Sequence, residues 1–200
     1  MSRLSAAART RGDGPDGDVA VVAPSIRRRL EGFVRPFGGR VYCHAPMDRP
    51  FSYDALARPD DGRDRWGASG TRTVYLASDP AVATAEYARH RPVGAPADAR
   101  CLCSFRLQAV SVLDLRSDEL LEVLGRPSGA MQFLDREIAR RVAGAVRRGC
   151  LSQGLIVPSM AYLDRPERFN VVLFAECLGV DLERLLMDRQ TVGDVTLRGS

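Results

Sequence analysis

The residues best placed to do chemistry are gathered between Gly62 and His90, in the stretch GRDRWGASGTRTVYLASDPAVATAEYARH. Glu86 lies four residues after Val82 and four before His90, so the three share one face of a helix built there. With Val82 packed inward, Glu86 is carried to the edge of the core, where a carboxylate is either paired or at work. A fixed carboxylate can stabilise positive charge developing on a reacting centre or orient an attacking group. Arg63, Arg65 and Arg72 lie on either side of Trp66, the only tryptophan. Guanidinium forks match the oxygens of phosphate, so this cluster suits an anionic ligand.

The neighbouring sequence supplies elements to position these groups. Thr73 to Ala77 (TVYLA) is β-branched and aromatic, as a buried strand would be. Ser78-Asp79-Pro80 offers two N-cap residues and a proline, and a helix follows from Ala81 to about His90. Its four alanines let it lie close on a sheet. Upstream, Arg40 to His44 (RVYCH) reads as the first strand. Ala45 to Arg72 is rich in Pro, Asp, Gly and Arg and is too long for an ordinary connection. It carries Arg49, Arg58, Arg63, Arg65 and Arg72 with Tyr53 and Trp66 among them. It reads either as a solvated loop or as a flap over an anionic ligand, with Trp66 as its packing anchor.

The rest of the chain reads as mixed strands and helices. Met1 to about Pro24 lacks periodicity until Val19 and is expected to be a flexible leader, with a single domain over residues 25–200. Ser25 to Phe33 suits a short helix capped by Ser25 and ended by Gly38-Gly39. After a turn-rich link from Arg91 to Ala99, Arg100 to Val110 alternates as a strand and Ser111 to Leu115 forms a second short one. Asp118 to Leu124 is a short helix stopped by Gly125. Met131 to Arg148 is the clearest helix, with Met131, Leu134, Ile138, Val142 and Ala145 on its apolar face. Arg136, Arg140, Arg147 and Arg148 fall mostly off that face, as a solvated edge would, and Glu137 can pair with Arg141. Leu155 to Val157 and Asn170 to Phe174 are buried strands. Val180 to Asp188 looks helical, and the final dozen residues could add an edge strand. This intermixing, with hairpin-like pairs, predicts an α+β fold rather than a doubly wound sheet.

Taken in order, several of these pieces resemble the RES domain family, named for its arginine, glutamate and serine. They are Arg65-Trp66, Tyr75-Leu76-Ala77, Glu86 eleven residues after the tyrosine, Val112-Leu113-Asp114-Leu115, Gly154 to Ser159 (GLIVPS) and Asn170 to Phe174 (NVVLF). The resemblance runs from about Arg40 to Leu178 and favours the flap reading of the Arg-rich loop. It implies an ADP-ribosyltransferase-like mixed or antiparallel sheet with flanking helices, and a bacterial toxin that attacks NAD+ and is restrained by a helix-turn-helix (Xre-like) antitoxin. Cleaving nicotinamide from ribose passes through an oxocarbenium-like transition state. Glu86 would stabilise that charge, Tyr75 would stack on the nicotinamide, and Arg65 would grip the pyrophosphate. NAD+ is then a substrate, inorganic phosphate a possible co-substrate, and no cofactor or metal is required.

The chain also departs from the family pattern. The family's first-strand arginine commonly follows an aromatic residue, and here Cys43 follows Tyr42. Arg40, three positions earlier, could reach in from a displaced register, Arg49 could substitute from the loop, or the contact is lost. A shift of three turns a strand side chain to the other face. Two serines match family serines: Ser128, before Gln132 and the long helix, and Ser159, after Val157-Pro158. Ser128 is the preferred of the two. Arg40, Trp66, Ser128 and Ser159 thus join Glu86, Tyr75 and Arg65 as candidate site residues. Transfer of ADP-ribose to a protein, or a degenerate RES-like module that only binds a nucleotide or a partner, are the alternatives.

Composition bounds the rest. The chain has 200 residues, is 45% hydrophobic and 27% charged, and carries a net charge of +4. That suits one globular domain. It contains no lysine, so all 29 basic residues are arginine. It has neither a membrane-length apolar run nor a signal-peptide core, which points to the cytoplasm. The basic balance comes without a helix-turn-helix, zinc or ribonucleoprotein motif, which argues against direct nucleic-acid binding. The five cysteines and two histidines match no metal pattern. The odd cysteine count suits buried free thiols in a reducing compartment, and Cys101 and Cys103 share a strand face without bridging.

Overall fold

In the computed structural model, which describes residues 24–60, 62, 64–90 and 99–195, the elements follow one another in mixed order. Helix α1 (Pro24–Glu31) leads into strand β1 (Arg35–Pro46), then α2 (Tyr53–Leu56), β2 (Ala57–Pro59), β3 (Arg72–Ala77) and α3 (Pro80–His90). Strand β4 (Arg100–Asp114), α4 (Asp118–Val123), a 3-10 turn (Ala130–Leu134) and α5 (Arg136–Arg147) come next. Strands β5 (Gly154–Pro158) and β6 (Phe169–Phe174), α6 (Leu182–Leu185) and β7 (Leu186–Val195) complete the described chain. The expected leader lies outside the described residues, as do Arg63 and most of the link after α3.

All seven strands join one mixed sheet in the order β1-β3-β6-β5-β4-β7, with β2 beside β3. Strand β1 also pairs with β4, so the ladder curls back on itself, and only β4 and β5 run parallel. Along one edge of β3 two partners sit end to end. Strand β2 pairs Ala57, Arg58 and Pro59 with Val74, Thr73 and Arg72, and β1 meets the strand again at Tyr42–Ala77. Tyr75 lies at the gap between them and pairs with Val172 on the opposite edge.

Apolar side chains pack on both faces of the sheet. One cluster gathers Val41, Val74, Leu76, Phe105, Val171 and Leu173 with Leu182 and Leu185 of α6. The other gathers Leu113, Leu155, Val172 and Phe174 with Leu30 of α1, Leu120 and Leu121 of α4 and Val142 and Val146 of α5. A small third cluster, Ala77, Leu102, Val82 and Ala83, seats α3. Its alanines permit the close approach, as the sequence suggests.

Several boundaries differ from the sequence reading. The segment through Gly38-Gly39 is not a stop: β1 begins at Arg35 and continues past a register shift between Phe37 and Gly39, where Gly39 takes a φ of +137°. The two strands expected from Arg100 to Leu115 are one, because β1 stays paired across Val110 and Ser111. The helix expected from Met131 starts only at Arg136. The carboxylate of Asp135 accepts from the N–H groups of Glu137 (2.8 Å) and Ile138 (3.4 Å), which caps a new helix instead of extending the turn before it. Met131 and Leu134 are therefore exposed rather than core, and Phe133 is buried in their place. Only Leu182–Leu185 of the last expected helix is helical, and the chain then forms edge strand β7 against β4. Finally, Cys150 and Cys177 form a disulfide, 27 residues apart, so the free-thiol reading holds only for Cys43, Cys101 and Cys103.

Candidate active site

Asp79 starts α3 by accepting from the N–H groups of Ala81 (2.8 Å) and Val82 (3.0 Å), so it, not Ser78, is the cap. Val82 is fully buried, and one turn later Glu86 comes to the core edge with a side chain only 15% exposed. Its Oε1 accepts from Ser159 Oγ at 2.6 Å, Asn170 Nδ2 at 3.1 Å and the N–H of Ala161 at 3.3 Å. Among the described residues, its Oε2 has only a loose approach from Arg89 Nε, at 4.0 Å. One oxygen is thus fixed by three donors, the other makes no close contact with a described residue, and the side chain lines the pocket. The donors come from the end of β5, the loop beyond it and β6, where Asn170 pairs across to Ala77.

The carboxylate lines a pocket of about 330 Å³, which also takes in Tyr75, Arg65 and Trp66. Trp66 is 3% exposed and packs on Phe133 at 5.1 Å between ring centres, so it does anchor the Arg-rich segment. Its backbone N–H donates to the Tyr75 hydroxyl at 3.3 Å, which fixes the phenol beside the tryptophan. Burial, reinforced by Asp64, raises the Tyr75 pKa, so the phenol stays protonated. Arg65 donates to the carbonyls of Phe133 and Leu134, the latter at 2.9 Å. Burial and the nearby Arg136 and Arg89 lower its pKa.

Two arginines expected on a solvated face of α5 fasten this segment instead. Arg140 binds Asp60 at 2.8 Å and the Asp64 carbonyl at 2.9 Å. Arg147, whose side chain is 4% exposed, reaches Glu176, the Thr73 hydroxyl and the Trp66 carbonyl, and stacks on Phe174. Both terminal nitrogens of this deep charge have acceptors and its plane lies on Phe174, while its Nε–H has no partner among the described residues. The expected pair between Glu137 and Arg141 is present.

The remaining sequence candidates separate. Ser159 is fully buried and sits directly behind Glu86. Ser128, the preferred serine, is exposed in the bend before the 3-10 turn and does not line the pocket. Arg40 is exposed in mid-β1 opposite Arg106, where its charge acts on Asp188 of β7. Arg49 is also exposed and outside the lining. Cys43 itself lines the pocket, its thiol pushed up to about 12 by burial.

Three lining groups escaped the sequence reading. Arg58, read only as one loop arginine among several, is set on β2 and faces the pocket. His44 stacks on Tyr87 at 4.8 Å, and burial, with Arg100 and Arg58 nearby, lowers its pKa to about 4. Asn170 appeared only as a strand residue, and nothing in its local sequence signals its bond to Glu86. Among the described residues, no three His, Cys, Asp or Glu side chains are grouped to hold a metal ion, and no helix is long and apolar enough to cross a membrane.

Comparison with known proteins places this geometry. No curated protein matches the chain. Among solved structures, a chain of the crystal structure of the M. tuberculosis MbcT–MbcA toxin–antitoxin complex superposes with a TM-score of 0.65. The match covers 88% of this chain and 94% of that one at 18% identity, so it bears on the fold. The α+β, ADP-ribosyltransferase-like architecture of a mixed sheet with flanking helices is the fold observed. The RES domain model matches residues 39–189, which take in the Glu86 carboxylate, its three donors and the whole pocket, and the chain belongs to the RES domain family.

Proposed function

We infer that this protein is an NAD+-consuming enzyme that breaks the bond between nicotinamide and ribose, and that it is the toxin of a bacterial toxin–antitoxin pair. One observation carries the reading: the Glu86 carboxylate is held by Ser159, Asn170 and the Ala161 N–H at the wall of a pocket that also contains Tyr75 and Arg65. Membership of the RES family and the fold shared with a chain of a toxin–antitoxin complex support it.

In the reaction the C1′–N bond breaks and its electron pair leaves with nicotinamide, which departs neutral. Positive charge develops at C1′, and the free oxygen of Glu86 stabilises it. Three donors fix the other oxygen, so the carboxylate need not reorganise as that charge appears. Tyr75 supports the nicotinamide ring. Arg65, with two N–H groups spent on carbonyls, steadies the anionic part of the substrate with those that remain. An acceptor oxygen then bonds to C1′ and releases its proton. Phosphate gives phosphorolysis, water gives hydrolysis, and a protein side chain gives ADP-ribosylation. The enzyme acts on the cytoplasmic NAD+ pool without a resident cofactor, and its partner is an antitoxin of the helix-turn-helix (Xre-like) kind.

The test is nicotinamide release from NAD+ by purified protein, with and without inorganic phosphate, beside Glu86→Ala. Phosphate-dependent release lost in the variant establishes phosphorolysis, and phosphate-independent release establishes hydrolysis. Release in neither condition, with no label transferred to protein from labelled NAD+, overturns the enzyme reading and leaves a nucleotide-binding module, as the cysteine at position 43 would suggest.

A further inference from the structure

The pocket contains two arginines in very different states. Arg65 is tied to the carbonyls of Phe133 and Leu134. Two arginines just outside the pocket are occupied as well: Arg72 with Asp54 and the Ala57 carbonyl, and Arg140 with Asp60 and the Asp64 carbonyl. Arg58 lines the pocket and has no hydrogen bond or ion pair to any described residue. All five of its N–H donors are therefore uncommitted within the described structure.

Its position is nonetheless well defined. Arg58 pairs with Thr73 in the β2–β3 ladder, and directly opposed residues project from the same face of a sheet. Tyr75 is on that face too, about 7 Å along β3 at the usual rise per residue. Tyr42, opposed to Ala77, occupies the same face on the other side of the gap. Arg58 and β1 thus flank Tyr75 from the two ends of one strand edge.

The groups its charge reaches do not neutralise it. They are Cys43 and His44 on β1 and His90 on α3. Near pH 7 the thiol is protonated and both imidazoles are uncharged, the His90 pKa being lowered chiefly by burial. Arg100, which reaches His44 from β4, adds a second positive charge on that side. A fork of donors with positive charge and no acceptor among the described residues, in a pocket that also holds a fixed carboxylate, calls for an oxyanion.

We propose that Arg58 is a second anion-holding residue of this pocket beside Arg65 and grips a phosphoryl group of the substrate, the function that neither Arg40 nor Arg49 is placed to serve. The assignment rests on the NAD+ reading for the identity of the anion. The shared chemistry is a phosphate oxygen, from the pyrophosphate of the dinucleotide or from inorganic phosphate as co-substrate.

Calorimetric titration of wild type, Arg58→Gln and Arg58→Lys with ADP-ribose, inorganic phosphate and phosphate-free nicotinamide riboside separates these cases. Thermal unfolding of each variant checks that it is folded, and Arg58→Lys keeps the charge at an exposed position while removing the fork. The expected result is a loss of about 10- to 100-fold in ADP-ribose affinity for Arg58→Gln, a smaller loss for Arg58→Lys, and nicotinamide riboside binding unchanged. Loss confined to inorganic phosphate also supports Arg58 as the anion holder and assigns it to the co-substrate. If wild type binds phosphate but not ADP-ribose, and Arg58→Gln loses it, Arg58 stands while the dinucleotide reading falls. Equal ADP-ribose affinity in wild type and Arg58→Gln overturns the role of Arg58 and leaves the NAD+ reading intact. Binding of none of the three ligands to wild type overturns both.

Discussion

Ser159 Oγ donates to Glu86 Oε1 at 2.6 Å, joining residues 73 positions apart in the chain. The serine follows β5 and the glutamate lies in mid-α3, so the bond exists only once helix and sheet have docked. It orients the carboxylate from behind. The Ala161 N–H and Asn170 bond to the same oxygen, and the second oxygen has no close contact with a described residue.

Glu86→Gln tests the carboxylate's charge with little change of shape. The amide oxygen can still accept from Ser159 and Asn170, so the fold should survive. Nicotinamide release is expected to fall by about 100- to 1000-fold, the usual effect of removing one preorganised electrostatic group. Activity within a few-fold of wild type would remove Glu86 from the reaction.

Ser159→Ala and Ser128→Ala form a matched pair. Ser159 is a positioning residue acting through Glu86, and losing its bond to a charged acceptor should lower kcat by roughly 10- to 100-fold. KM should change little, because the serine does not line the pocket. Ser128→Ala should be indistinguishable from wild type in both constants. A larger loss from Ser128→Ala than from Ser159→Ala would reverse the assignment.

The contrast between these serines shows what the sequence makes legible. The face of α3 follows from the spacing of Val82, Glu86 and His90, and the strand from Thr73 to Ala77 follows from its residue types. These are local signals. Ser128 is attractive in sequence because it precedes a helix-like run, but Asp135 breaks that run and the serine stays in an exposed bend. Ser159 and Asn170 reach Glu86 only through the β5–β6 and β3–β6 pairings, which no periodicity encodes. Arg58 was legible as a loop charge, yet β2 is three residues long and too short to announce itself. The pairing of Cys150 with Cys177 and the burial of Arg147 are tertiary in the same sense.

His44 predicts how stability depends on pH. It is 6% exposed, stacked on Tyr87 of α3, and faced by Arg100 of β4 and Arg58 of β2. Its folded pKa of about 4 lies below the ordinary value of 6.5, so the unfolded chain binds the extra proton first. Its contribution is fully present above about pH 6.5 and is lost as the pH falls towards 4. His90, shifted in the same direction, adds to the trend. Melting temperatures between pH 7 and pH 4 should fall more steeply for wild type than for His44→Gln. Parallel curves would show that His44 is not held neutral by the fold.

Arg147 gives the sharpest test of how the pocket wall is held. Its guanidinium joins α5 to Thr73 on β3, to the Trp66 carbonyl and to Glu176 after β6. Arg147→Leu keeps the apolar bulk over Phe174 but leaves Thr73 and the Trp66 carbonyl without this partner. Breaking such a buried network by removing one member should cost about 3–5 kcal/mol in urea unfolding. Glu176→Gln should cost much less, because Glu176 is 38% exposed and water can replace it. Trp66 provides a second readout, since it is the only tryptophan and its carbonyl is one of the acceptors lost. A red-shifted native emission in Arg147→Leu, with the fluorescence of Glu176→Gln unchanged, is the expected pattern. If both variants were equally stable and emitted as wild type does, Trp66 would be held by Phe133 packing alone, and Arg147 would have no part in shaping the pocket.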